Sequence, residues 1–228
     1  MKTQTLINYI FAVAFVGYVV LQRNPNVDTI TCKTWKVVDS DGKQRILATT
    51  DTDGYAGMRW FDKDEKVRIG AAILANGLGA IRWFDKDETL RIVVGTDTLA
   101  GGLASVNLFD KDEKVRIGAT THADGQASVQ WFDKDEKVRI GASTLANGYA
   151  GVRWFDKDGT KRIQASTLPN YAGLQWFDKN EKPLIAAGTY EDGNAGVQWF
   201  DKDGKERIQS GIYANGTVIL PTKDQNAP

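Results

Sequence analysis

The chain has 228 residues, and its 29 lysine and arginine residues balance its 29 aspartate and glutamate residues at pH 7. This balance argues against nucleic acid or another strongly charged polymer as the partner, because a protein with no net charge has no overall electrostatic field to attract such a polymer. One cysteine, Cys32, and one histidine, His122, exclude an internal disulfide and leave no cluster with metal-ligand spacing.

The first element along the chain is an uncharged apolar segment from Leu6 to Leu21. With its flanks it reaches the roughly 20 residues that a helix needs to cross a bilayer, so we predict a transmembrane anchor over residues 1–24. A cleaved signal peptide is the alternative, since Lys2 gives a weakly positive start, but no small-x-small cleavage site follows the apolar run. The flanking charges hardly decide the orientation. We expect a single-pass membrane protein whose next domain is periplasmic or otherwise extracytoplasmic.

An internal repeat occupies residues 35–220, between a linker at 25–34 and a tail at 221–228. The phenylalanine of the motif "WFDKD" recurs, and Val38 takes its place in a degenerate first copy. The steps between the eight copies are 23, 23, 25, 23, 23, 22 and 23 residues. The phenylalanines are Phe61, Phe84, Phe109, Phe132, Phe155, Phe177 and Phe200.

Each copy has two turn signals separated by alternating residues, which predicts a β-hairpin. One signal is "DKDG" or its relative "DKDE", and the other is "LANG", "HADG" or "EDG". A two-residue turn at Asp158-Gly159 places Trp154 opposite Ile163. The same count places Phe155 opposite Arg162.

The second turn fixes how successive hairpins join. A three-residue loop at 75–77, with its glycine in the left-handed conformation, places Ile69 opposite Trp83 of the next copy. The 22-residue step keeps this register if a two-residue turn forms at 169–170, and the 25-residue step keeps it if a longer loop is centred on Ala100. The array is therefore predicted to be an antiparallel meander.

Two ladders follow from this register. Tryptophan and isoleucine alternate along one face, which we expect to be the core, and phenylalanine alternates with arginine along the other, where cation–π attraction is expected. About 17 strands at roughly 4.8 Å would span about 80 Å if flat, whereas open sheets rarely exceed about ten strands without curling. The predicted fold class is all-β: an antiparallel β-meander or β-solenoid of hairpin repeats after one transmembrane helix. A sandwich-like fold and a four-bladed propeller are the alternatives.

The candidate catalytic and metal-binding residues are better explained by structural roles. The "DKD" carboxylates lack the third close aspartate and the distal glutamate of a calcium loop, so turn formation is the better interpretation. His122 is expected in a solvated loop, and Cys32 is expected to be a small apolar filler, with lipidation as the alternative. We predict no catalytic residue, no metal ligand and no cofactor, and we expect the protein not to be an enzyme.

The segment "TITCKTWKVVDSDGKQRILATTDTDGYAGMRWFDKDEKVRIGA", directly after the apolar run, resembles bacterial single-pass membrane proteins. Their exposed part is an array of D-x-D-G-K-x-R β-hairpin repeats with no established activity. The hairpin length also resembles membrane occupation and recognition nexus repeats, but "YAGVRW" and "YAGLQW" meet their Tyr-x-Gly-x-Trp pattern only in part. The resemblance implies a tethered, non-enzymatic module and transfers no catalytic residues.

We therefore expect a scaffold protein, an accessory subunit that stabilises a larger membrane protein complex, for example a photosynthetic or respiratory one. Its expected partners are subunits of that complex, reached through the helix and the repeat surface, and membrane lipid, with no nucleic acid. The alternative is an envelope module that binds glycan or peptidoglycan on its tryptophan row. Two irregular copies, with Leu108 in place of tryptophan and Pro183-Leu184 before the isoleucine, are the predicted interaction residues.

Overall fold

The computed structural model describes residues 31–97 and 103–220. The chain divides between Lys33 and Thr34, and the unit that begins at Thr34 is the repeat body. The predicted anchor, the loop centred on Ala100 and the predicted tail lie outside the described residues. Among the described residues, no helix has the length and apolar character needed to span a membrane.

The described part of the repeat body is built from β-strands and turns alone. Its strands are short because a turn signal interrupts every alternating run. The seventeen strands are β1 Thr34–Val38, β2 Gln44–Thr50, β3 Ala56–Phe61, β4 Val67–Ile73, β5 Gly79–Phe84, β6 Leu90–Asp97, β7 Leu103–Phe109, β8 Val115–Thr121, β9 Ala127–Phe132, β10 Val138–Thr144, β11 Ala150–Phe155, β12 Lys161–Leu168, β13 Tyr171–Phe177, β14 Pro183–Tyr190, β15 Ala195–Phe200, β16 Glu206–Ile212 and β17 Val218–Ile219.

Every strand pairs antiparallel with the next strand along the chain, from β1 with β2 to β16 with β17. The meander is confirmed. No pairing joins β1 to β17 within the described residues, so the sheet is one open layer. The predicted solenoid, sandwich and propeller are therefore wrong. Because the turns are short, each internal strand forms its backbone hydrogen bonds with the strands before and after it in the sequence. Within the described residues, no hydrogen bond joins the first strand to the last.

The predicted register of the tryptophan row is confirmed. Trp154 lies opposite Ile163 within its hairpin, and Ile69 lies opposite Trp83 of the next hairpin. The short step has a two-residue turn, because Leu168 pairs with Tyr171 across residues 169–170. The long step also keeps the register, with Ile92 opposite Leu108. Insertions and deletions are therefore absorbed in the turns rather than in the sheet.

The predicted partner of Phe155 is wrong: it lies opposite Lys161 rather than Arg162. The Asp156 N–H donates to the Thr160 carbonyl at 2.9 Å, and the Gly159 N–H donates to the Asp156 carbonyl at 3.0 Å. This makes a three-residue loop whose last residue, Gly159, has φ +86°. The extra residue reappears as a β-bulge at Arg162, which restores the tryptophan register.

The two faces of the sheet differ in composition. The apolar face has three rows, because directly opposed residues point to the same side. Its second row begins at Trp35 and continues with alanine, valine, methionine, isoleucine, leucine and one serine, and its third row is mainly alanine and threonine. Its first row is Val37, Ile46, Trp60, Ile69, Trp83, Ile92, Leu108, Ile117, Trp131, Ile140, Trp154, Ile163, Trp176, Ile185, Trp199 and Ile208.

The prediction that the tryptophan row is the core is wrong. Among the described residues only Tyr149, Phe177 and Ala186 are buried, and all three lie on the opposite, polar face. On the apolar face Val106 is 39% exposed and Trp131 is 38% exposed. The polar face is better covered because aromatic rings lie across glycines there: a Cβ on Gly151 would meet the Tyr149 hydroxyl at 2.6 Å.

Candidate functional site

The first aspartate of each DKD turn holds the turn closed. One carboxylate oxygen of Asp62 accepts the Asp64 N–H at 2.8 Å and the Lys66 N–H at 3.0 Å. The other oxygen forms an ion pair with Arg68 of the same hairpin. The hydrogen-bonding capacity of this carboxylate is engaged within the turn, in agreement with turn formation as the role of the motif.

These contacts set the protonation of the aspartate. Partial burial alone would raise the pKa of Asp62, but the Lys66 N–H and the Arg68 guanidinium outweigh it and lower that pKa to about 2. The carboxylate is thus ionised at neutral pH and well into the acid range. The pKa is also lowered at the same turn position in Asp39, Asp85, Asp110, Asp133, Asp156, Asp178 and Asp201.

The DKD turns also link each hairpin to the next, at what we name the aspartate end of the sheet, where β1–β2, β3–β4 and each later pair are joined. Arg68 donates to the Asp85 carbonyl of the following turn. The Lys66 ammonium donates to the Lys86 carbonyl at 3.2 Å. Arg68 makes these hydrogen bonds but no cation–π contact with a phenylalanine of the described residues, so the predicted ladder of arginine and phenylalanine is wrong for Arg68. In the described part of the chain, the cation–π contacts are Lys161 on Phe177 and Arg153 on Tyr149.

A third link comes from glutamates that the sequence analysis did not single out. Glu65 replaces the turn glycine and has φ 60°, a left-handed conformation that is strained for an L-residue. From that position its carboxylate accepts the Gln44 N–H of the preceding hairpin at 2.9 Å. Glu88, Glu113 and Glu181 make the same bond to Val67, Leu90 and Lys161. The signal was the exchange of glutamate for glycine after "DKD".

The predicted interaction residues lie apart. Leu108 is in the first row of the apolar face, between Ile92 and Ile117. Pro183 and Leu184 are in β14, seven strands away or about 34 Å along the sheet, at the aspartate end. The structure does not bring Leu108 together with the other two.

Pro183 and Leu184 mark a weakened junction between β14 and β15. Leu184 occupies the bulge position that Arg68 has in its hairpin, and leucine has no guanidinium to reach the next turn. Pro183 has no N–H, and the following turn carries Gly204 in place of the glutamate that would accept it. The lysine link survives, with the Lys182 ammonium 3.1 Å from the Lys202 carbonyl.

The apolar face crosses all seventeen strands of the described sheet. None of the residues in its three rows carries a charge. Its middle part, from β6 to β13, forms a trough with a volume of about 1030 Å³. The trough is lined by small side chains, which include Val106, Ala119, Val129, Ala142, Val152 and Ala165. No described residue lies over this face, which offers shape and hydrophobicity to a partner but no reactive group.

The remaining candidates are plain surface residues. His122 opens a turn in which its N–H donates to the Gln126 carbonyl at 2.8 Å, and its side chain is exposed. Cys32 is exposed before β1, so it does not fill an apolar site as we predicted. Among the described residues, no three histidine, cysteine or acidic side chains are grouped to hold a metal ion.

Comparisons with known proteins add little. No family model and no curated protein sequence matches the chain. The chain is similar to the TCP domain of SAS-4 (dCPAP) of Drosophila melanogaster, solved with a proline-rich motif of Ana2 (dSTIL), at 14% identity over 86% of this chain and 93% of that one, with a TM-score of 0.27. A second likeness, to a TcdB2-TccC3-Cdc42 structure, has 8% identity, covers 82% of this chain and only 17% of that one, and has a TM-score of 0.16. Neither score supports a common fold, so function must be argued from the surfaces.

Proposed function

We propose that the protein is a non-enzymatic scaffold, anchored in the membrane by its N-terminal apolar segment, and that it serves as an accessory subunit of a larger membrane protein complex. The apolar face of the sheet is covered there by an apolar, uncharged surface of a partner subunit. The observation that carries this proposal is a charge-free face that no described part of the chain covers. The uncharged run from Leu6 to Leu21 supports the membrane location.

The size of the face supports an obligate partner. Seventeen strands about 4.8 Å apart and about 20 Å long give it an area of roughly 1,600 Å². The largest apolar patch on a typical monomer is about 300–600 Å², and one partner in a standard interface contributes about 800 Å². A face of this size left in water would favour aggregation, so a stable cellular partner is the economical explanation.

The composition of the face favours a protein surface over a glycan. Tryptophan alternates with isoleucine along the first row, as in Trp60, Ile69 and Trp83, so the rings form no continuous stacking platform. The second and third rows lack the amide and carboxylate groups that would bind sugar hydroxyls. Small aliphatic side chains instead suit close packing against another apolar surface.

The test compares two aspartate substitutions in the full chain in its native membrane. Val106→Asp places a charge in the apolar face at an already exposed site, and Gln130→Asp places the same charge at an exposed site on the polar face. Mild detergent extracts are separated by native electrophoresis and size-exclusion chromatography. We expect the wild type and Gln130→Asp to migrate within a larger complex and Val106→Asp to migrate alone with an unchanged circular dichroism spectrum.

A photo-cross-linking residue at the same two positions covers the case in which Val106→Asp does not fold. Cross-links to another subunit from position 106 and not from position 130 support the proposal. A wild-type chain that runs alone or only as a homodimer contradicts it. Equal cross-linking from both faces also contradicts it.

A further inference from the structure

The polar face has a recurring arrangement of tyrosine on glycine. Tyr55 lies over Gly57, Tyr149 over Gly151, and Tyr171 over Gly173 and Gly188. A Cβ on Gly188 would meet the Tyr171 ring at 2.6 Å. The ring thus replaces the side chain that each glycine lacks and covers its backbone.

The last full hairpin breaks this arrangement. Its tyrosine position is held by Asn194, and the glycine two residues on, Gly196, pairs with Gly211 on one side and Gly188 on the other. The atoms nearest to a Cβ on Gly196 are all backbone atoms, of Ser210 and Gly211. Gly196 and Gly211 therefore present bare backbone on two adjacent strands, next to Gly188, which the Tyr171 ring covers.

A cavity of about 290 Å³ stands on this bare backbone, close to the lower end of about 300 Å³ for ligand pockets. Tyr190, the last residue of β14, and Tyr213, the residue after β16, lie at one end of the cavity, and both are about half exposed. Gln198 and Gln209 pair across β15 and β16 at the other end. Tyr171 lies 5.1 Å from Tyr190, ring centre to ring centre, and forms the side wall.

The polar side chains that line the cavity are three amides, three tyrosines and the carboxylate of Asp192. The Gln198 amide donates to the Glu206 carboxylate at 2.8 Å, which fixes its orientation and leaves its oxygen as an acceptor. The Gln209 side chain has no hydrogen-bond partner among the described residues, so a donor and an acceptor remain for a ligand. No lysine or arginine lines the cavity, and Asp192 is its one charged lining residue. An anion would find no counter-charge here.

We propose that this cavity binds one neutral pyranose, either free or at the end of a glycan. A flat backbone floor and aromatic walls accept the apolar C–H face of a sugar ring, and neutral amides with both donor and acceptor atoms match its hydroxyl groups. The site lies on the face opposite to the proposed subunit interface. It goes beyond the proposed scaffold function and does not depend on it.

The test fills the cavity with the side chain that other hairpins already carry. Full-length protein is titrated with methyl glucoside, methyl galactoside and N-acetylglucosamine, and amide shifts are followed at Gly196 and Gly211. We expect at least one sugar to shift both amides. Asn194→Tyr fills the cavity and removes the hydrogen bonds of the Asn194 side chain to Ala214 and Asp192. It is expected to abolish the shifts while the protein stays folded, because Tyr171 occupies the equivalent position of its own hairpin. Gln209→Ala is expected to weaken binding by about tenfold, and Tyr55→Ala, far from the site, is the control that leaves it unchanged.

Three outcomes overturn the proposal. One is the absence of shifts at Gly196 and Gly211 with every sugar. Another is binding that survives Asn194→Tyr, which places the sugar elsewhere. The third is a short aromatic peptide that shifts these amides when no sugar does, which assigns the cavity to a peptide. If the free sugars bind and a glycan polymer also binds, the site is supported, and the bound pyranose can be the end residue of that polymer.

Discussion

Substitutions of Glu65 separate two opposing effects on stability at this turn: the strain of its left-handed backbone and the hydrogen bond that its side chain accepts. The residue has φ 60°, which costs a non-glycine residue about 1–2 kcal/mol. Its carboxylate accepts the Gln44 N–H at 2.9 Å, a bond with a net worth of about 0.5–1.5 kcal/mol. Alanine keeps the strained backbone and loses the bond, whereas glycine relieves the strain and loses the bond. Glutamine keeps both the strain and the acceptor oxygen.

These magnitudes give an order of stability. Glu65→Ala is expected to destabilise the protein by about 0.5–1.5 kcal/mol, the value of the lost bond. In Glu65→Gly the relieved strain is offset by the lost bond and by about 0.4–1 kcal/mol of unfolded-chain entropy, so the net change stays within about 1 kcal/mol. Glu65→Gln is expected to match the wild type. The near cancellation explains why glutamate and glycine exchange at this position along the chain.

The assay combines a global and a local measurement, because a long repeat array need not unfold in one step. Urea unfolding followed by tryptophan fluorescence should place the midpoint of Glu65→Ala below those of the other variants. Amide exchange at Gln44 should accelerate in the alanine and glycine variants and stay slow with glutamine. Gly42→Ala, at φ +78° with free space around it, measures the strain and the unfolded-chain entropy together, with no hydrogen bond gained or lost. Unchanged exchange at Gln44 in Glu65→Ala would refute the reasoning.

Three further predictions concern the turns and the ends of the array. Because the pKa of Asp62 is lowered to about 2 in the fold, its stabilising contribution is complete above the unfolded pKa of 3.8 and is lost as the pH falls toward 2; melting temperatures equal at pH 5 and pH 2 would contradict this. Tyr171→Ala, which uncovers two glycines, should cost about 1–3 kcal/mol in urea unfolding, well above the cost of the exposed Tyr213→Ala. Leu184→Arg should restore the missing link to the Asp201 turn and slow amide exchange in β15–β17, and unchanged exchange there would count against the weakened junction.

The proposed functions rest on different faces and can fail separately. Scaffold binding depends on the apolar face, where Val106 is a test position, and sugar binding depends on the cavity beside Asn194. A charge at position 106 should therefore leave the sugar shifts unchanged, and a tyrosine at position 194 should leave the complex intact. The two sets of variants serve as controls for each other.

The candidate surfaces were only partly predictable. The turn role of the aspartates followed from their spacing alone, because aspartate before a turn accepts backbone N–H groups locally. The glutamate link and the cavity did not, since both depend on which groups of neighbouring hairpins meet. The sequence signals were single exchanges, glutamate for glycine at Glu65 and asparagine for tyrosine at Asn194, whose meaning needs the lateral neighbours.

The sequence by itself determined the period, the order of strand pairing and the register of the tryptophan row, because alternation and turn spacing are local properties that a one-residue slip would destroy. It did not determine the bulge at Arg162: a two-residue turn and a three-residue loop with a bulge both place Trp154 nine residues before its partner Ile163. The tertiary structure also decided that the sheet stays open and that the polar face is the better covered one. Both depend on contacts between residues that are far apart in the sequence, such as Tyr171 lying over Gly188, and counting residues between turns does not predict such contacts.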